Sequence, residues 1–227
     1  MFPIYSPARQ GLGFGGRVIN PEHNPKYLNS PDSSVFHKGK VFYGLETSVK
    51  YIRAEDEIIV VEGYMDWLAL AKAGIMNIAA TLGTALTADH AKMIKRYTNR
   101  VLILFDGDNA GKSAAQRSLP ILLSEGLHAR GLVLPDQLDP DEFLQERGAE
   151  QLKKLIAAAP DMFELMAHEL WLESKSSPSG KVQLLDLLTP ILEKTQDPRL
   201  KALYVDNLAR MMDVDRSLIE RGVKSAP

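Results

Sequence analysis

Val101-Leu102-Ile103-Leu104-Phe105-Asp106-Gly107-Asp108 joins five consecutive apolar residues to two carboxylates. An apolar run without polar alternation predicts a strand buried on both faces, which is typical of a parallel sheet. In the extended segment that follows, residues i and i+2 face the same way, so Asp106 and Asp108 present their carboxylates on one side. Such neighbouring like charges repel unless a cation neutralises them. The stretch therefore predicts a sheet strand that ends in a divalent-metal site.

Two other segments repeat this arrangement of a strand followed by acidic residues. A predicted strand at 58–61 precedes Glu62 and Asp66, and one at 131–134 precedes Asp139 and Asp141. Since the carboxyl ends of parallel strands share one edge of a sheet, we expect these carboxylates to converge. Each segment also has a simpler explanation, because Asp66 or Asp139 could merely cap the helix that follows, and the segment 105–111 could form an Asx turn that caps the next helix.

Local composition and the spacing of apolar residues divide the chain into three regions. Residues 1–53 are rich in Gly, Pro, Asn and Ser, which predicts hairpins and loops rather than long helices. Residues 54–158 alternate strand and helix patterns, which predicts a central, mainly parallel sheet flanked by helices. Residues 159–227 predict a small helical bundle, with apolar residues at helical spacing over 160–173, 181–194 and 198–212. The expected fold class is therefore mixed α/β, with an α+β character.

Composition narrows the functional classes. The chain has 227 residues, 45% hydrophobic and 25% charged, which is typical of a globular protein. No cysteine is present, which excludes disulfides and thiolate zinc sites. No signal-peptide pattern or apolar run of membrane-spanning length occurs, so we expect a cytoplasmic protein without a membrane partner. Residues 1–53 carry a net charge of +4 and the remainder −6, which could set a phosphate-binding surface beside a carboxylate site.

The donor types in the acidic segments favour a particular class of metal. Carboxylate oxygens without Cys or His are the ligands of Mg²⁺ or Mn²⁺ rather than of zinc. We therefore expect two or more such ions, and phosphoryl-transfer chemistry, at the shared edge of the sheet.

Glu62 followed by Asp106-Gly107-Asp108 resembles the Toprim domain of primases, topoisomerases and related nucleases. The resemblance to bacterial DnaG-type replicative DNA primases is closer and spans residues 1 to about 155. It is carried by 13–17 (GFGGR), 25–31 (PKYLNSP), 36–39 (FHKG), 62–66 (EGYMD), 81–85 (TLGTA), 106–111 (DGDNAG) and 139–141 (DPD). The acidic residue and Gly-Arg pair that usually precede the first motif are absent, because residues 6–11 read SPARQG.

The resemblance implies roles for individual residues. It implies catalytic roles for Glu62, Asp66, Asp106 and Asp108, and metal ligation by Glu62, Asp106, Asp108, Asp139 and Asp141. Whether Glu62 is a ligand or the general base stays open. It also implies a basic surface for DNA or nucleotide phosphates, formed by Arg17, Lys26, Asn29 and Lys38.

The activity implied by the resemblance is synthesis of short RNA primers on single-stranded DNA from NTPs, with release of pyrophosphate, at a bacterial replication fork. The expected partners are the DNA template, NTPs and the nascent primer. We expect the family's zinc-binding domain and its C-terminal helicase-binding domain to be absent from this chain. Two alternatives stay open, which are a Toprim nuclease or strand-passing enzyme that uses the same carboxylates, and a fragment that only binds DNA, metal or replisome proteins.

Overall fold

The computed structural model describes residues 1–18, 27–105, 109–174 and 177–225, and for residues 109–112, 115, 224 and 225 it describes the backbone alone. An antiparallel sheet in the order β1-β2-β3 is formed by β1 (Phe2–Tyr5), β2 (Gly11–Arg17) and β3 (Tyr27–Asn29). Glycine in β2 permits close packing, because a Cβ on Gly15 would lie 2.9 Å from Cε1 of Tyr64. The predicted strand-rich start of the chain is confirmed.

A helix within the first region corrects the expectation of hairpins and loops alone. Helix α1 (Leu45–Glu55) begins after Gly44, whose φ of 75° lies in the left-handed region. A side chain at Gly44 would overlap the indole of Trp67, so the position requires glycine on two grounds. The helix was missed because the aromatic and glycine residues before it suggest loops. The predicted boundary at residue 53 falls inside its last turn.

The central sheet is entirely parallel within the described residues and has the strand order β5-β4-β6-β7. Its strands are β4 (Ile58–Val61), β5 (Ile78–Ala80), β6 (Arg100–Phe105) and β7 (His128–Val133). The predicted strands at 58–61 and 101–105 match to within one residue. The strand expected at 131–134 begins three residues earlier. The apolar run 75–80 also predicts a strand, and β5 is shorter than that run. The predicted fold class is confirmed.

Helices follow each of these strands. They are α2 (Tyr64–Lys72), α3 (Ala88–Lys95), α4 (Asn109–Ser124), α5 (Pro140–Arg147) and α6 (Ala149–Ala158). Thr87 caps α3, since its Oγ1 accepts a hydrogen bond of 3.1 Å from the backbone N–H of His90.

Alternate residues of the buried strands face two separate hydrophobic cores. Ile103 and Phe105 of β6 pack in one core with α1, α3 and α4. Leu102 and Leu104 pack in the other with α2 and α5. Successive side chains of a strand point to opposite faces, so helices cover both faces of the sheet. This layering leaves the carboxyl edge of the sheet available for a site.

The amino end of the sheet is held by an ion pair between Glu57 and Arg130. The Nη2 of Arg130 lies 2.7 Å from Oε2 of Glu57, whose side chain is 10% exposed. Arg130 also donates to the carbonyl oxygens of Ile156 and Ala159 at 3.1 and 3.3 Å. A bidentate, hydrogen-bonded pair of this kind fixes geometry as well as contributing energy. It ties β7 to the start of β4 and to the chain after α6.

The remaining chain is helical, as predicted. Its elements are α7 (Met162–Glu173), α8 (Pro178–Lys194), α9 (Pro198–Met212) and α10 (Arg216–Ser225). The Tyr204 hydroxyl donates a hydrogen bond of 2.9 Å to Oδ2 of Asp161, which joins α9 to the start of α7. In the described part of the chain, no helix combines the length and apolarity needed to cross a membrane.

Candidate active site

Glu62 stands at the carboxyl end of β4, beside the end of β5. The Thr81 hydroxyl donates to the carbonyl oxygen of Glu62 at 3.0 Å, and the Thr81 N–H donates to the carbonyl oxygen of Val61 at 3.0 Å. These bonds fix the backbone of two neighbouring strand ends. The side chain of Glu62 is exposed at the edge, where a ligand can reach it.

Asp66 lies in the first turn of α2 rather than at its N-cap. Helix α2 begins at Tyr64, and Gly63 is the N-cap residue. The Oδ2 of Asp66 accepts a hydrogen bond of 3.0 Å from the backbone N–H of Gly63. A carboxylate at this position is stabilised by the positive end of the helix dipole. Asp66 is therefore held in place beside Glu62.

A cleft of about 600 Å³ opens beside Glu62 on the face of the sheet that carries α2 and α5. It brings together most of the described residues that the sequence predicted for the site. Those that line it are Arg17, Asn29, Glu62, Asp66, Asp139 and Asp141. Basic and polar residues of the N-terminal sheet thus face carboxylates of the parallel sheet across one space.

Two hydrogen bonds join the N-terminal sheet to this edge. The Tyr64 hydroxyl donates to the carbonyl oxygen of Gly16 at 2.7 Å. The Nδ2 of Asn29 donates to the carbonyl oxygen of Leu82 at 3.0 Å, while its Oδ1 is buried without a hydrogen-bond partner among the described residues. Asn29 therefore connects the sheets and retains an acceptor for a ligand.

Tyr27 was missed as a site residue, although it lies between the predicted residues. It pairs with Arg17 in the sheet, and the Arg17 guanidinium lies 5.5 Å from the centre of its ring. Burial, and then Asp66, Asp139 and Asp141, raise the pKa of Tyr27, while Arg17 lowers it. The aromatic residue between Lys26 and Asn29 was the available signal. Its electrostatic surroundings indicate that three carboxylates and one guanidinium lie close to the same ring.

The acidic start of α5 completes the cleft. Asp139 is the N-cap as expected, and its Oδ1 accepts a hydrogen bond of 2.8 Å from the N–H of Glu142. Glu142 accepts in return from the N–H of Asp139 at 3.2 Å, which completes a capping box. Asp141 is half-buried in the first turn. The capping box therefore fixes the side chain of Asp139. Asp141 lies in the first turn and takes its position from the helix backbone.

The donor set suits a hard divalent cation, because the cleft collects carboxylates without Cys or His. Within residues 1–18, 27–105, 109–174 and 177–225, no group of three acidic or histidine side chains lies close enough to hold a metal ion. Asp106, Asp108 and Lys26 lie outside the described residues. The residues that are described fit Mg²⁺ or Mn²⁺ in chemistry but do not by themselves complete a coordination shell.

Lys38 does not line the cleft among the residues that the structure describes. It begins the short 3-10 turn Lys38–Lys40, and its N–H donates to Oδ1 of Asp32 at 3.3 Å. The next residue, Gly39, accepts a hydrogen bond of 2.6 Å from the Thr87 hydroxyl. The turn is thereby held at the start of α3.

Three family models match successive parts of this chain. They are described as the DNA primase catalytic core, N-terminal domain (residues 1–49), as Toprim-like (59–144) and as the DnaB-helicase binding domain of primase (175–217). A crystal structure of a DNA primase domain from Pseudomonas aeruginosa matches with a TM-score of 0.90 and 39% identity, covering 99% of this chain and 71% of that one. The chain belongs to the DnaG-type DNA primase family.

Other members of the primase family are similar over almost all of this chain. A DNA primase from Legionella pneumophila is 38% identical over 222 residues, which are 95% of this chain and 38% of that protein. A structure of the DnaG primase catalytic domain bound to single-stranded DNA matches with a TM-score of 0.87 and 36% identity, covering 96% of this chain and 70% of that one. The chain spans about a third of the length of the curated relatives it matches.

The match to the helicase-binding model corrects one expectation. We expected the helicase-binding part of a primase to be absent, yet residues 175–217 match a model with that description. They include all of α8 and α9 and the start of α10. The sequence pattern indicated only amphipathic helices there, because a binding role leaves no local signature of its own.

Proposed function

We propose that this chain carries the catalytic centre of a bacterial DNA primase, which synthesises short RNA primers on single-stranded DNA from NTPs and releases pyrophosphate. The observation that carries the proposal is the cleft in which Arg17 and Asn29 face Glu62 and three aspartates. Membership of the primase family supports it. The alternative of a nuclease uses the same carboxylates and is separated from it by experiment below.

We assign the metal site to Glu62, Asp106 and Asp108, at the carboxyl ends of β4 and β6. Divalent ions bound there supply activation of the attacking 3′-hydroxyl and neutralisation of the charge that develops on the leaving pyrophosphate. The Thr81 hydroxyl holds the backbone at Glu62, so the Glu62 carboxylate is attached to a fixed part of the sheet edge. We assign Asp141 and Asp139 as additional ligands on the α5 side of the cleft.

The caps of α2 and α5 give Asp66 and Asp139 a positioning role. Each carboxylate accepts a backbone hydrogen bond, so each is held in place in the cleft that Tyr27 and Arg17 also line. Arg17 attracts template or nucleotide phosphates, and Asn29 offers its free Oδ1 as an acceptor. Lys26 extends the same basic surface in this assignment, and Lys38 contributes a charge from its separate turn.

The partners follow from the assigned activity. They are single-stranded DNA, NTPs and the nascent primer, and the similar catalytic domain bound to single-stranded DNA supports the first. We propose that the residues 175–217 contribute to contact with the replicative helicase. The bacterial relatives support a place at the replication fork in the cytoplasm.

We also propose the division of function by region that the sequence suggested. Residues 1–53 supply the basic surface, residues 54–158 the catalytic domain and residues 159–227 a helical subdomain. The Arg17 surface and the Glu62 edge remain one site because Tyr64 and Asn29 bridge them.

Template-directed synthesis tests the proposal. The protein is incubated with single-stranded DNA, labelled NTPs and Mg²⁺ or Mn²⁺, and RNA products are measured for wild type, Glu62→Gln and the double variant Asp106→Ala/Asp108→Ala. We expect each variant to lose at least about 100-fold in rate with an unchanged thermal midpoint. Glu55→Gln is the matched control, because Glu55 is an exposed glutamate at the end of α1.

Two results would contradict the proposal. One is undiminished primer synthesis by the folded double variant, which would remove the metal assignment. The other is nicking of plasmid DNA in Mg²⁺ by a wild-type protein that makes no RNA, which would favour the nuclease.

A further inference from the structure

A second, smaller cleft of about 250 Å³ lies on the other face of the sheet. It opens between the loop that leads from β5 to α3 and the side of α4. Its apolar walls include Val60, Ile103 and Phe105, which belong to the core on the α3 and α4 side. Glu62 lines both clefts, so it separates two spaces that reach the same strand end.

Two polar groups of this cleft have no role in holding the fold. The Oγ1 of Thr84 is buried and has no hydrogen-bond partner among the described residues. Arg117 is exposed, and no ion pair or hydrogen bond of its side chain is found in the described part of the chain. A buried hydroxyl without a partner costs folding free energy, and a ligand that hydrogen-bonds to it would remove that cost.

The other polar side chains of the cleft are already engaged. Ser118 donates to the carbonyl oxygen of Ala114 at 2.7 Å, and Thr81 donates to the carbonyl oxygen of Glu62. The groups left to hydrogen-bond a ligand are therefore the Thr84 hydroxyl and the Arg117 guanidinium. A guanidinium is a donor only, and its fork matches the oxygens of a phosphate.

The position of the cleft favours a nucleotide over a length of template. This cleft is smaller and more apolar than the cleft beside Arg17. Charge interactions are stronger in such surroundings because the local dielectric constant is lower. On the α4 side the cleft is lined by Ala114, Arg117 and Ser118, which lie along the flank of that helix. A phosphate without a cation would be repelled by Glu62, whereas a metal-bound polyphosphate would not.

We propose that Thr84 and Arg117 bind the phosphate groups of the metal-bound NTP, on the face of the sheet opposite Arg17. This inference rests on the proposed function and adds a nucleotide subsite to it. The template phosphates occupy the larger cleft beside Arg17, and the NTP polyphosphate extends past Glu62 into the smaller one.

Equilibrium binding tests the inference without relying on turnover. The Kd of a non-hydrolysable α,β-methylene ATP analogue with Mg²⁺, and that of Mg²⁺-pyrophosphate, are measured for Arg117→Gln, Thr84→Val and Thr84→Ser. The Kd of single-stranded DNA is measured in parallel. Arg96→Gln is the matched control, because Arg96 is an exposed arginine at the end of α3 outside the cleft.

We expect Arg117→Gln to weaken analogue and pyrophosphate binding about tenfold or more, and Thr84→Val about threefold to tenfold. Thr84→Ser keeps the hydroxyl and should stay within about twofold of wild type. DNA binding should be unchanged in all of them. Since the Thr84 hydroxyl has no partner in the described structure, Thr84→Val should unfold no earlier than wild type.

The outcomes separate this inference from the proposed function. If wild type makes primers and the Arg117 and Thr84 variants bind the analogue as wild type does, the subsite is wrong and the function stands. If wild type makes no primers but binds the analogue in an Arg117-dependent way, the function fails and the subsite stands. Weakened DNA binding with unchanged analogue binding, or no analogue binding by wild type, overturns the subsite.

Discussion

The Tyr64 hydroxyl donates a 2.7 Å hydrogen bond to the carbonyl oxygen of Gly16. The bond joins the helix that carries Asp66 to the strand that carries Arg17, and the Tyr64 ring packs against Phe2 at 4.6 Å between ring centres. The relative placement of the two charged groups therefore depends on one buried side chain.

Removing the Tyr64 hydroxyl should affect primer synthesis more than it affects stability. We expect Tyr64→Phe to lower the free energy of unfolding by about 0.5–1.5 kcal/mol, because one hydrogen bond is lost and the ring is kept. Primer synthesis should fall further than this loss explains, with a higher KM for template. Denaturant unfolding and steady-state kinetics measure the two effects.

Tyr5→Phe is the matched control for that substitution. Tyr5 lies in the N-terminal sheet that contains Gly16 and is 36% exposed. Equal effects of Tyr64→Phe and Tyr5→Phe on the KM for template would show that the bridge to Gly16 does not position the site.

Asp139 combines a cap with a proposed charge, and two substitutions separate these roles. Asp139→Ala should lower the free energy of unfolding by about 0.5–2 kcal/mol, because the bond to the Glu142 N–H is lost. Asp139→Asn keeps the cap, so its stability should remain near that of wild type while primer synthesis falls. Full activity of a stable Asp139→Asn protein would restrict Asp139 to capping.

Gly44 and Gly74 provide a matched test of backbone and packing constraints. Both have φ in the left-handed region, at 75° and 79°, but only Gly44 has the Trp67 indole where a Cβ would stand. We expect Gly74→Ala to cost about 1–2 kcal/mol from the backbone alone. Gly44→Ala should cost about 1–3 kcal/mol more from overpacking. Denaturant unfolding measures both, and equal costs would mean that Trp67 moves aside freely.

The buried His90 should make stability depend on pH. Burial is the main cause that lowers the pKa of His90 below its ordinary value of 6.5, and its Nε2 lies 3.1 Å from the carbonyl oxygen of Val41. As pH falls below about 6.5, the unfolded chain binds a proton that the folded protein excludes. The free energy of unfolding should therefore fall by up to about 1.4 kcal/mol per pH unit until the folded pKa is reached.

Substitution at His90 checks the source of this dependence. His90→Gln should reduce the slope of the thermal midpoint against pH between about 7 and 5, whatever its effect on the midpoint itself. His168→Gln should keep the slope, because His168 is exposed. Burial raises the pKa of Asp161, which acts in the opposite direction at lower pH, so the comparison is made as a difference from wild type. An unchanged slope in His90→Gln would assign the dependence to other groups.

Local sequence patterns predicted those helices and strands whose apolar residues recur at a regular spacing along a short segment. Helices α7, α8 and α9 follow the predicted ranges closely, because amphipathic periodicity is local information. The carboxyl-edge rule likewise predicted that Glu62, Asp66 and Asp139 would share a cleft. For Asp106 and Asp108, the predicted position stays a prediction.

Other features depend on contacts between distant parts of the chain, which no local pattern contains. The bridge from Tyr64 to Gly16 spans 48 residues, and the sequence around either one gives no sign of it. Thr84 belongs to the motif 81–85, but the burial of its hydroxyl without a partner is seen only in the packed structure. The family resemblance placed Lys38 in the basic surface with Arg17, and no local pattern predicted that the turn of Lys38 would be hydrogen-bonded to Asp32 and, through Gly39, to Thr87.

The parallel sheet has short bridges along both of its outer strands. Tyr43 pairs with Ala80 on β5, and Arg130 pairs with Asp161 on β7, where the N–H of Gly131 also donates to the carbonyl oxygen of Pro160. Unpaired strand edges are templates for aggregation. A chain cut at residue 158 would expose the β7 edge and remove Ala159 from Arg130. Shortened versions of this protein should therefore keep residues 159–161 if they are to stay monodisperse.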